Sequence, residues 1–273
     1  MRRLPLPTTN DQAVLQQFIV LGWNAALSIG PLGPSVGLRY TQYSASQGNP
    51  WAIPNDKSFD TAREAFHSTY KDARGPFEFI NDLRAWNGGA CPVCGGAGTG
   101  TLDHYLPKGV FPEFSFFSPN LVPACYRCNN KRNSRYRGVG PDERPIHPYY
   151  DPLPNNVPVL GLEIQAPFEA PGFRAVALNV PPLLTDAVRW HIQNVVVPAG
   201  FLAHCEQRWS ALVKDPGLFL GVATDIPSAR QEFVRRAREA VQLDASQNSW
   251  DRCFFDGIAN SDAALTYILA QPR

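Results

Sequence analysis

The sequence predicts an α+β protein in which a short cysteine-rich segment lies inside a mainly helical chain. Apolar residues recur at helical spacing on both sides of residues 89–140. Within that range, two C-x-x-C pairs surround a segment, Thr101 to Leu106, that is predicted to be a short strand. The chain therefore divides into a helical region at 1–88, the cysteine-rich module at 89–140 and a mainly helical region at 141–273.

The composition excludes several classes of protein. The chain has 273 residues, of which 44% are hydrophobic and 18% charged, so it is neither a disordered tail nor a fibrous rod. Its net charge of +1 excludes a polybasic protein, and any contact with nucleic acid must come from a local patch. No run approaches the roughly 18 apolar residues of a membrane span, and no export signal is complete, so a cytoplasmic protein without membrane contact is expected.

The region before the cysteines is predicted to contain three helices and a long loop. Capping-box patterns precede apolar residues at helical spacing near residue 10 and again near residue 61. Gly75 and Pro76 begin a short third helix. Residues 28–57 are rich in Gly, Pro and Ser, which predicts a loop.

The region after the cysteines is predicted to be irregular at first and then mostly helical. Residues 141–171 are proline-rich, and the alternation from Phe173 to Val180 predicts a strand. Helices are predicted at about 183–197, 200–214, 227–243, 248–257 and 261–270.

Four cysteines have the spacing of metal ligands. Cys91 and Cys94 form one C-x-x-C pair, and Cys125 and Cys128 form the second. Two such pairs offer four thiolates that can close a tetrahedron around one ion, so a structural zinc site is predicted. Free buried thiols are the alternative, and this is the interpretation for the two other cysteines, which lie in apolar, predicted helical surroundings.

Polar residues of types that can act in catalysis or bind a metal lie between and just after the two pairs. Asp103 and His104 are adjacent in the predicted strand, and Asn120 precedes the second pair. Asn129 follows that pair directly, at the start of a helix predicted for 126–136.

In order, spacing and surroundings, residues 90–136 resemble the HNH (ββα-metal) endonuclease superfamily in its four-cysteine, zinc-containing bacterial type. The resemblance implies that Asp103 is a carboxylate ligand of a catalytic divalent metal and that His104 is the general base. It also implies that Asn120 orders the loop, and that Asn129 is a metal ligand at the third motif position, where many members have histidine. An amide oxygen suits a hard cation, so Mg²⁺ or Mn²⁺ is the expected catalytic metal.

Part of this chemistry follows from the residues themselves. A histidine, with an ordinary pKa of about 6.5, can take a proton from water near neutral pH. A cation held by Asp103 and Asn129 could polarise a phosphate. However, neighbours on a regular strand point to opposite faces, so Asp103 and His104 can share a cleft only where the strand ends or is distorted.

Basic residues cluster around the second cysteine pair. Residues 120–144 contain six basic side chains and two acidic ones, which favours contact with a nucleic-acid backbone over a merely solvated helix face. The residues expected to bind nucleic acid are Lys108, Arg127, Lys131, Arg132 and Arg135.

Two further polar residues lie near the motif. His147 could supply the imidazole that position 129 lacks, but its proline-flanked segment favours a structural role. Glu113 is predicted to cap or orient the loop between the cysteine pairs.

The leading prediction is a metal-dependent endonuclease or nickase that hydrolyses phosphodiester bonds in DNA. The resemblance implies a bacterial or phage setting, such as restriction or antiviral defence, with an ATPase or other regulatory protein as partner. Double-strand cleavage by a single HNH site requires a homo-oligomer or repeated visits. The alternatives are an RNase and a non-catalytic zinc module that binds nucleic acid or protein.

Overall fold

A computed structural model describes residues 1–132 and 134–272. About half of these residues are helical, and two antiparallel sheets of two strands each complete their regular secondary structure. The mixed fold class predicted from the sequence is confirmed at this level.

The helices and strands follow one another in this order. The α-helices are α1 (Asp11–Leu21), α2 (Asn24–Ile29), α3 (Gly33–Ala45), α4 (Arg63–Asp72), α5 (Phe79–Arg84), α6 (Tyr126–Arg132), α7 (Thr185–His191), α8 (Phe201–Lys214), α9 (Pro216–Leu220), α10 (Ile226–Asp244), α11 (Trp250–Ala259) and α12 (Asp262–Leu269). The strands are β1 (Thr101–His104), β2 (Leu121–Ala124), β3 (Leu160–Gln165) and β4 (Gly172–Ala177). A π-helical stretch, Ile192–Val196, continues α7.

Several predicted elements agree closely with the structure. The bounds of α8 and α10 lie within one residue of the predicted ranges 200–214 and 227–243. The strand predicted from Thr101 is β1, and the helix predicted from residue 126 is α6, which the structure describes as far as Arg132. Strong local periodicity and clear start signals explain this agreement.

The loop predicted for residues 28–57 is wrong, because α3 occupies part of that range. Pro34 lies in the first turn of this helix, where a missing N–H breaks no helical hydrogen bond. Val36, Tyr40 and Tyr43 follow at helical spacing, and all three are buried. Their burial overrides the low helix propensity of the Gly and Ser residues in this range.

The segment 141–171, predicted to be irregular, contains the strand β3. This strand pairs with β4 in an antiparallel ladder that runs from Leu160 opposite Ala177 to Gln165 opposite Gly172. Its prolines lie before the strand and in the connection after it, where they interrupt no ladder hydrogen bond.

The hairpin of β1 and β2 forms the centre of the cysteine-rich module. Thr101 lies opposite Ala124, and His104 lies opposite Leu121. Only Cys125 separates β2 from α6, so the helix folds back directly against the hairpin.

The flanking helices hold this module from two sides. On the N-terminal side, Arg39 of α3 donates from Nε and Nη2 to Glu113 Oε1 at 2.9 and 2.7 Å, and both side chains are buried. On the C-terminal side, Trp250 of α11 donates from Nε1 to the carbonyl oxygen of Cys94 at 2.8 Å. Apolar residues from all three regions are buried in one continuous cluster.

Among the described residues, no single helix is long and apolar enough to cross a bilayer. The segments 11–21 and 24–45 meet that criterion only as a pair, with a bend of 110° between them.

Candidate metal centre and histidine site

The four cysteines of the two C-x-x-C pairs converge on one point. Their sulfur atoms all lie within 4.8 Å of one another, all four residues are buried, and none forms a disulfide. The Sγ atoms of Cys94 and Cys125 are 3.8 Å apart. A tetrahedral zinc site with Zn–S bonds of about 2.3 Å has S···S edges of about 3.8 Å. The cluster can therefore hold a metal ion such as zinc with little rearrangement.

Backbone N–H groups point at these sulfur atoms, as a charged thiolate requires. Gly96 N donates to Cys94 Sγ at 3.3 Å, and Cys125 N donates to Cys91 Sγ at 3.3 Å. Cys128 N donates to Cys125 Sγ at 3.4 Å. Hydrogen bonds from the neighbouring thiols lower the pKa of Cys125, so a thiolate forms there most readily.

The C-terminal region braces the first cysteine pair. His191 donates from Nε2 to the Val93 carbonyl at 2.8 Å and accepts at Nδ1 from the N–H of Ile146 at 3.0 Å. Gly95 has φ +83°, and a Cβ there would lie 1.9 Å from the carbonyl oxygen of Asn248. Only glycine fits this contact, so the knuckle and the C-terminal region are closely coupled.

Asp103 and His104 lie on opposite faces of the hairpin, as the alternation of a regular strand requires. The side chain of Asp103 contacts Arg132 of α6. The ring of His104 instead contacts Tyr70 of α4, with 4.5 Å between ring centroids. The distortion that would bring both side chains into one cleft is not present.

His104 is held as a neutral imidazole. Its Nε2 lies 2.9 Å from the carbonyl oxygen of Ser115, and a carbonyl can only accept, so Nε2 carries the hydrogen. Nδ1 then carries a free lone pair. Burial, followed by the charge of Lys108, lowers the pKa of His104 to about 3. The whole residue is 7% exposed and is therefore buried.

Asp103 and Arg132 form a buried bidentate ion pair. Arg132 donates from Nε to Oδ2 at 2.6 Å and from Nη2 to Oδ1 at 2.7 Å. The same guanidinium also donates to the carbonyl oxygens of His104 and Tyr105. Burial raises the pKa of Asp103, and the Arg132 charge opposes that rise. The pair joins α6 to the hairpin.

The residues predicted to bind a catalytic cation do not form an open site. Both oxygens of Asp103 are engaged by Arg132, and the Asn129 side chain makes no hydrogen bond with another described residue. In the described part of the chain, the cysteine cluster is the one group of three or more His, Cys, Asp or Glu ligand atoms close enough to share an ion. Mg²⁺ or Mn²⁺ would reach Asp103 only after Arg132 moved.

Asn120 is buried and its side chain fixes the loop that follows β1. Its Oδ1 accepts from the N–H of Leu106 at 2.7 Å, and its Nδ2 donates to the carbonyls of Leu106 and Phe114. Tyr43 also donates to Oδ1 at 3.1 Å and lies 3.0 Å from His147 Nε2. The imidazole of His147 is engaged in this network, in keeping with a structural role.

The basic residues predicted to contact nucleic acid divide into three groups. Arg127 and Lys131 lie four residues apart on α6 and are exposed, and Arg135 beyond the helix is also exposed. Lys108 is half-buried on the loop after β1. Arg132 does not lie on this surface, because it is 3% exposed and its guanidinium is committed to Asp103.

Sequence reasoning missed two aromatic residues that shape this site. Tyr43 lies on α3, and the helical spacing of buried residues there could have revealed it. Tyr70 lies on α4, and no sequence signal joins it to His104. Their contacts with Asn120 and His104 come from tertiary packing alone.

Acid should destabilise the protein through its buried histidines. The pKa values of His104 and His191 are lowered to about 3, and that of His147 is held well below its ordinary value, in each case chiefly by burial. Because an unfolded histidine titrates near 6.5, the unfolded state binds more protons below that pH. The contribution of these histidines to the free energy of unfolding is fully present above about pH 6.5. It should fall by about 2 kcal/mol per histidine at about pH 5. Urea unfolding across this range measures the slope.

One substitution measures how much a single histidine contributes to the pH dependence of stability. His191→Gln keeps a donor for Val93 and an acceptor for Ile146 but removes one titrating group. Its pH slope should be about one third smaller than that of the wild type. The same substitution at His67, which is only half-buried, serves as the control. A stability independent of pH over this range would contradict the prediction.

Part of the chain is similar in sequence to a phage protein. No family model matches the sequence, and no solved structure is significantly similar. Protein ea31 of Escherichia phage lambda is 35% identical over 88 residues, which are 32% of this chain and 30% of that protein. The chain thus spans less than a third of the relative's length, and the name of that protein states no activity.

Proposed function

We propose that the protein is a nuclease that hydrolyses phosphodiester bonds in DNA, with His104 as the general base. The observation that carries the proposal is the fixed neutral imidazole: Nε2–H is anchored on Ser115, and the Nδ1 lone pair is free. The resemblance of residues 90–136 to HNH endonucleases supports it, as does the cysteine cluster in the expected place.

In the proposed reaction, side chains of this protein supply the base and the positive charge. Nδ1 of His104 takes a proton from a water molecule, and the water oxygen attacks phosphorus. A new P–O bond forms, the bond from phosphorus to the 3′-oxygen breaks, and the leaving oxygen takes a proton from solvent. Lys108, whose charge acts on His104, would stabilise the negative charge on the phosphoryl oxygens. A bound phosphate would also offset the positive charge of Lys108 and so raise the pKa of the His104 imidazole.

The HNH resemblance further implies Mg²⁺ or Mn²⁺ at Asp103 and Asn129. The bidentate contact of Asp103 with Arg132 does not favour that site. Cleavage assays with and without the added ion test whether it takes part. Zinc at the cysteine cluster is the structural ion in this proposal, and it would join the segment of Cys91 and Cys94, which precedes β1, to the start of α6.

Replacing the proposed base should strongly reduce cleavage. His104→Ala is expected to reduce nicking of supercoiled plasmid by a factor of about 10² to 10⁴, the usual contribution of a general base. Plasmid nicking with and without added Mg²⁺ or Mn²⁺, together with cleavage of a labelled RNA, measures activity and substrate class. The metal-free arm uses buffer cleared of ions beforehand, because a strong chelator in the assay would also remove zinc from the cysteines.

The control for this experiment is His204→Ala. His204 lies on α8 against Asp251, on the C-terminal side of the molecule, and should not affect cleavage. Wild-type protein that binds DNA but never cleaves it, with any of the ions, would reject the nuclease.

One observation favours a second function, a non-catalytic zinc module that binds nucleic acid. Arg132 engages both oxygens of the carboxylate that the motif would use as a metal ligand. Exposed Arg127, Lys131 and Arg135 would still offer phosphate contacts. A gel shift without cleavage, unchanged by His104→Ala, is the result that this function predicts.

A further inference from the structure

The helices of the N-terminal region form part of the surroundings of His104. Tyr70 of α4 lies beside the imidazole, with ring centroids 4.5 Å apart and planes at 66°. From the same helix, His67 donates from Nε2 to the carbonyl oxygen of Lys108 at 3.1 Å, and Arg63 donates to the carbonyl oxygen of Gly109. α4 therefore covers one side of the imidazole and fixes the loop that carries Lys108.

Two cations gather on the Tyr70 ring. Lys108 Nζ lies 4.6 Å from the ring centroid, and the Arg84 guanidinium of α5 lies 6.0 Å from it. Both side chains belong to half-buried residues. Arg84 donates to Asn81 Oδ1, but within the described ranges neither cation forms an ion pair with a carboxylate.

Half-buried cations without a counter-ion favour the arrival of an anion. Lys108 is half-buried, so its charge has lost part of its hydration, and burial lowers its pKa accordingly. Ion pairs elsewhere in the described chain, such as that of Arg63 with Asp60, neutralise cations locally. At the Tyr70 ring, the positive charge stays available next to the His104 imidazole, whose ring centroid is 4.5 Å from that of Tyr70.

The other basic cluster lies on a different side of the hairpin. His104 points away from α6, because its neighbour Asp103 is the residue that faces Arg132. Arg127 and Lys131 of α6 are thus poorly placed to hold a phosphate against the imidazole. Arg84 and Lys108 are the cations on the correct side.

We propose that Arg84 and Lys108, gathered on the Tyr70 ring, form the phosphate-binding face of the His104 site. The N-terminal helices thereby complete a site whose motif lies wholly in the cysteine-rich module. This assignment rests on the proposed nuclease function for the identity of its substrate, a nucleic-acid backbone.

The same arrangement predicts how the substrate is recognised. Tyr70 has two cations within 6.0 Å of its ring centroid and the His104 ring 4.5 Å away, so it serves as a cation-holding group rather than as a stacking surface for a base. Contacts to phosphate carry no direct sequence information. Binding at this face should be indifferent to base sequence and sensitive to salt.

Salt-dependent binding tests the phosphate face without relying on cleavage. Arg84→Gln and Lys108→Gln are placed singly in a His104→Ala background, and affinity for a short fluorescein-labelled DNA duplex is measured by anisotropy at several salt concentrations. Each substitution should weaken binding about tenfold at about 0.1 M salt and reduce the slope of log K against log salt by about 0.9. Lys214→Gln, which removes an exposed charge at the end of α8, should change neither quantity.

Tyr70 provides a variant that changes no charge. Tyr70→Leu removes the ring and the hydroxyl that Arg84 contacts, and should reduce both affinity and slope, whereas Tyr70→Phe keeps the ring and should retain the contribution of Lys108. Circular dichroism establishes that each variant is folded.

The outcomes separate this assignment from the nuclease itself. Reduced slopes in a protein that never cleaves would support the phosphate face and reject the nuclease. Cleavage by the wild type, with slopes unchanged in Arg84→Gln and Lys108→Gln, would reject the phosphate face and leave the nuclease standing. A parent protein that binds no DNA duplex would reject the phosphate face as well.

Discussion

Cys128→Ser is expected to prevent stable folding and to abolish zinc binding. The four sulfur atoms lie within 4.8 Å of one another, and the substitution removes one of the four thiolates that a tetrahedral site needs. Structural zinc contributes about 10–16 kcal/mol of apparent binding free energy in small peptides. That is comparable to the whole stability of a typical domain, about 5–15 kcal/mol. Zinc content and far-ultraviolet circular dichroism of the purified variant measure the two losses.

The control for this substitution is Cys205→Ala. Cys205 is a buried thiol on α8 that belongs to the apolar core and not to the cluster. Its replacement should lower the free energy of unfolding by about 1 kcal/mol and leave the zinc content unchanged. Wild-type protein that is fully folded when free of metal, or Cys128→Ser with a wild-type unfolding midpoint, would contradict the structural role of the ion.

The loss should extend beyond the cysteine-rich module. Trp250 of α11 donates to the carbonyl oxygen of Cys94, and His191 donates to that of Val93. Both donors are buried, so disorder of the first knuckle would leave them without partners at a cost of about 1–3 kcal/mol each. Zinc removal should therefore also loosen the C-terminal helices, which a loss of helical signal larger than α6 alone would reveal.

The cysteine cluster could be predicted from sequence because its geometry is local. Each C-x-x-C pair places two sulfur atoms on one tight turn, so only the meeting of two turns had to be inferred. The opposite orientations of Asp103 and His104 likewise follow from the period of a strand. For these residues, spacing along the chain determines position in space.

The partners of those residues could not be predicted in the same way. Arg132 lies 29 residues from Asp103 and belongs to a helix whose other basic residues are exposed, so its charge alone predicts a surface position. Tyr70 comes from a different region, and no pattern in the sequence links α4 to β1. The Gly, Pro and Ser content around α3 favours a loop, and only the spacing of its buried residues indicates a helix.

Removing the Arg132 side chain should strongly destabilise the protein, because it leaves Asp103 buried without a counter-charge. Arg132→Met is expected to lower the free energy of unfolding by about 3–5 kcal/mol, the usual effect of breaking one partner of a buried pair. Arg174→Met provides the matched control: its pair with Glu163 is largely exposed, with side chains 60% and 46% accessible, and should contribute less than about 1 kcal/mol. Urea unfolding at neutral pH measures both.

A double variant separates the stability of this pair from a role in catalysis. Asp103→Leu combined with Arg132→Met replaces both charges by apolar groups, so it should be more stable than Arg132→Met alone although it has fewer polar contacts. If the double variant is no more stable than the single one, the penalty does not come from an unpaired carboxylate. Nicking activity retained in the folded double variant would limit Asp103 to holding α6. Activity that is lost in the double variant but retained in Arg132→Met would give Asp103 the metal-binding role that the HNH resemblance implies.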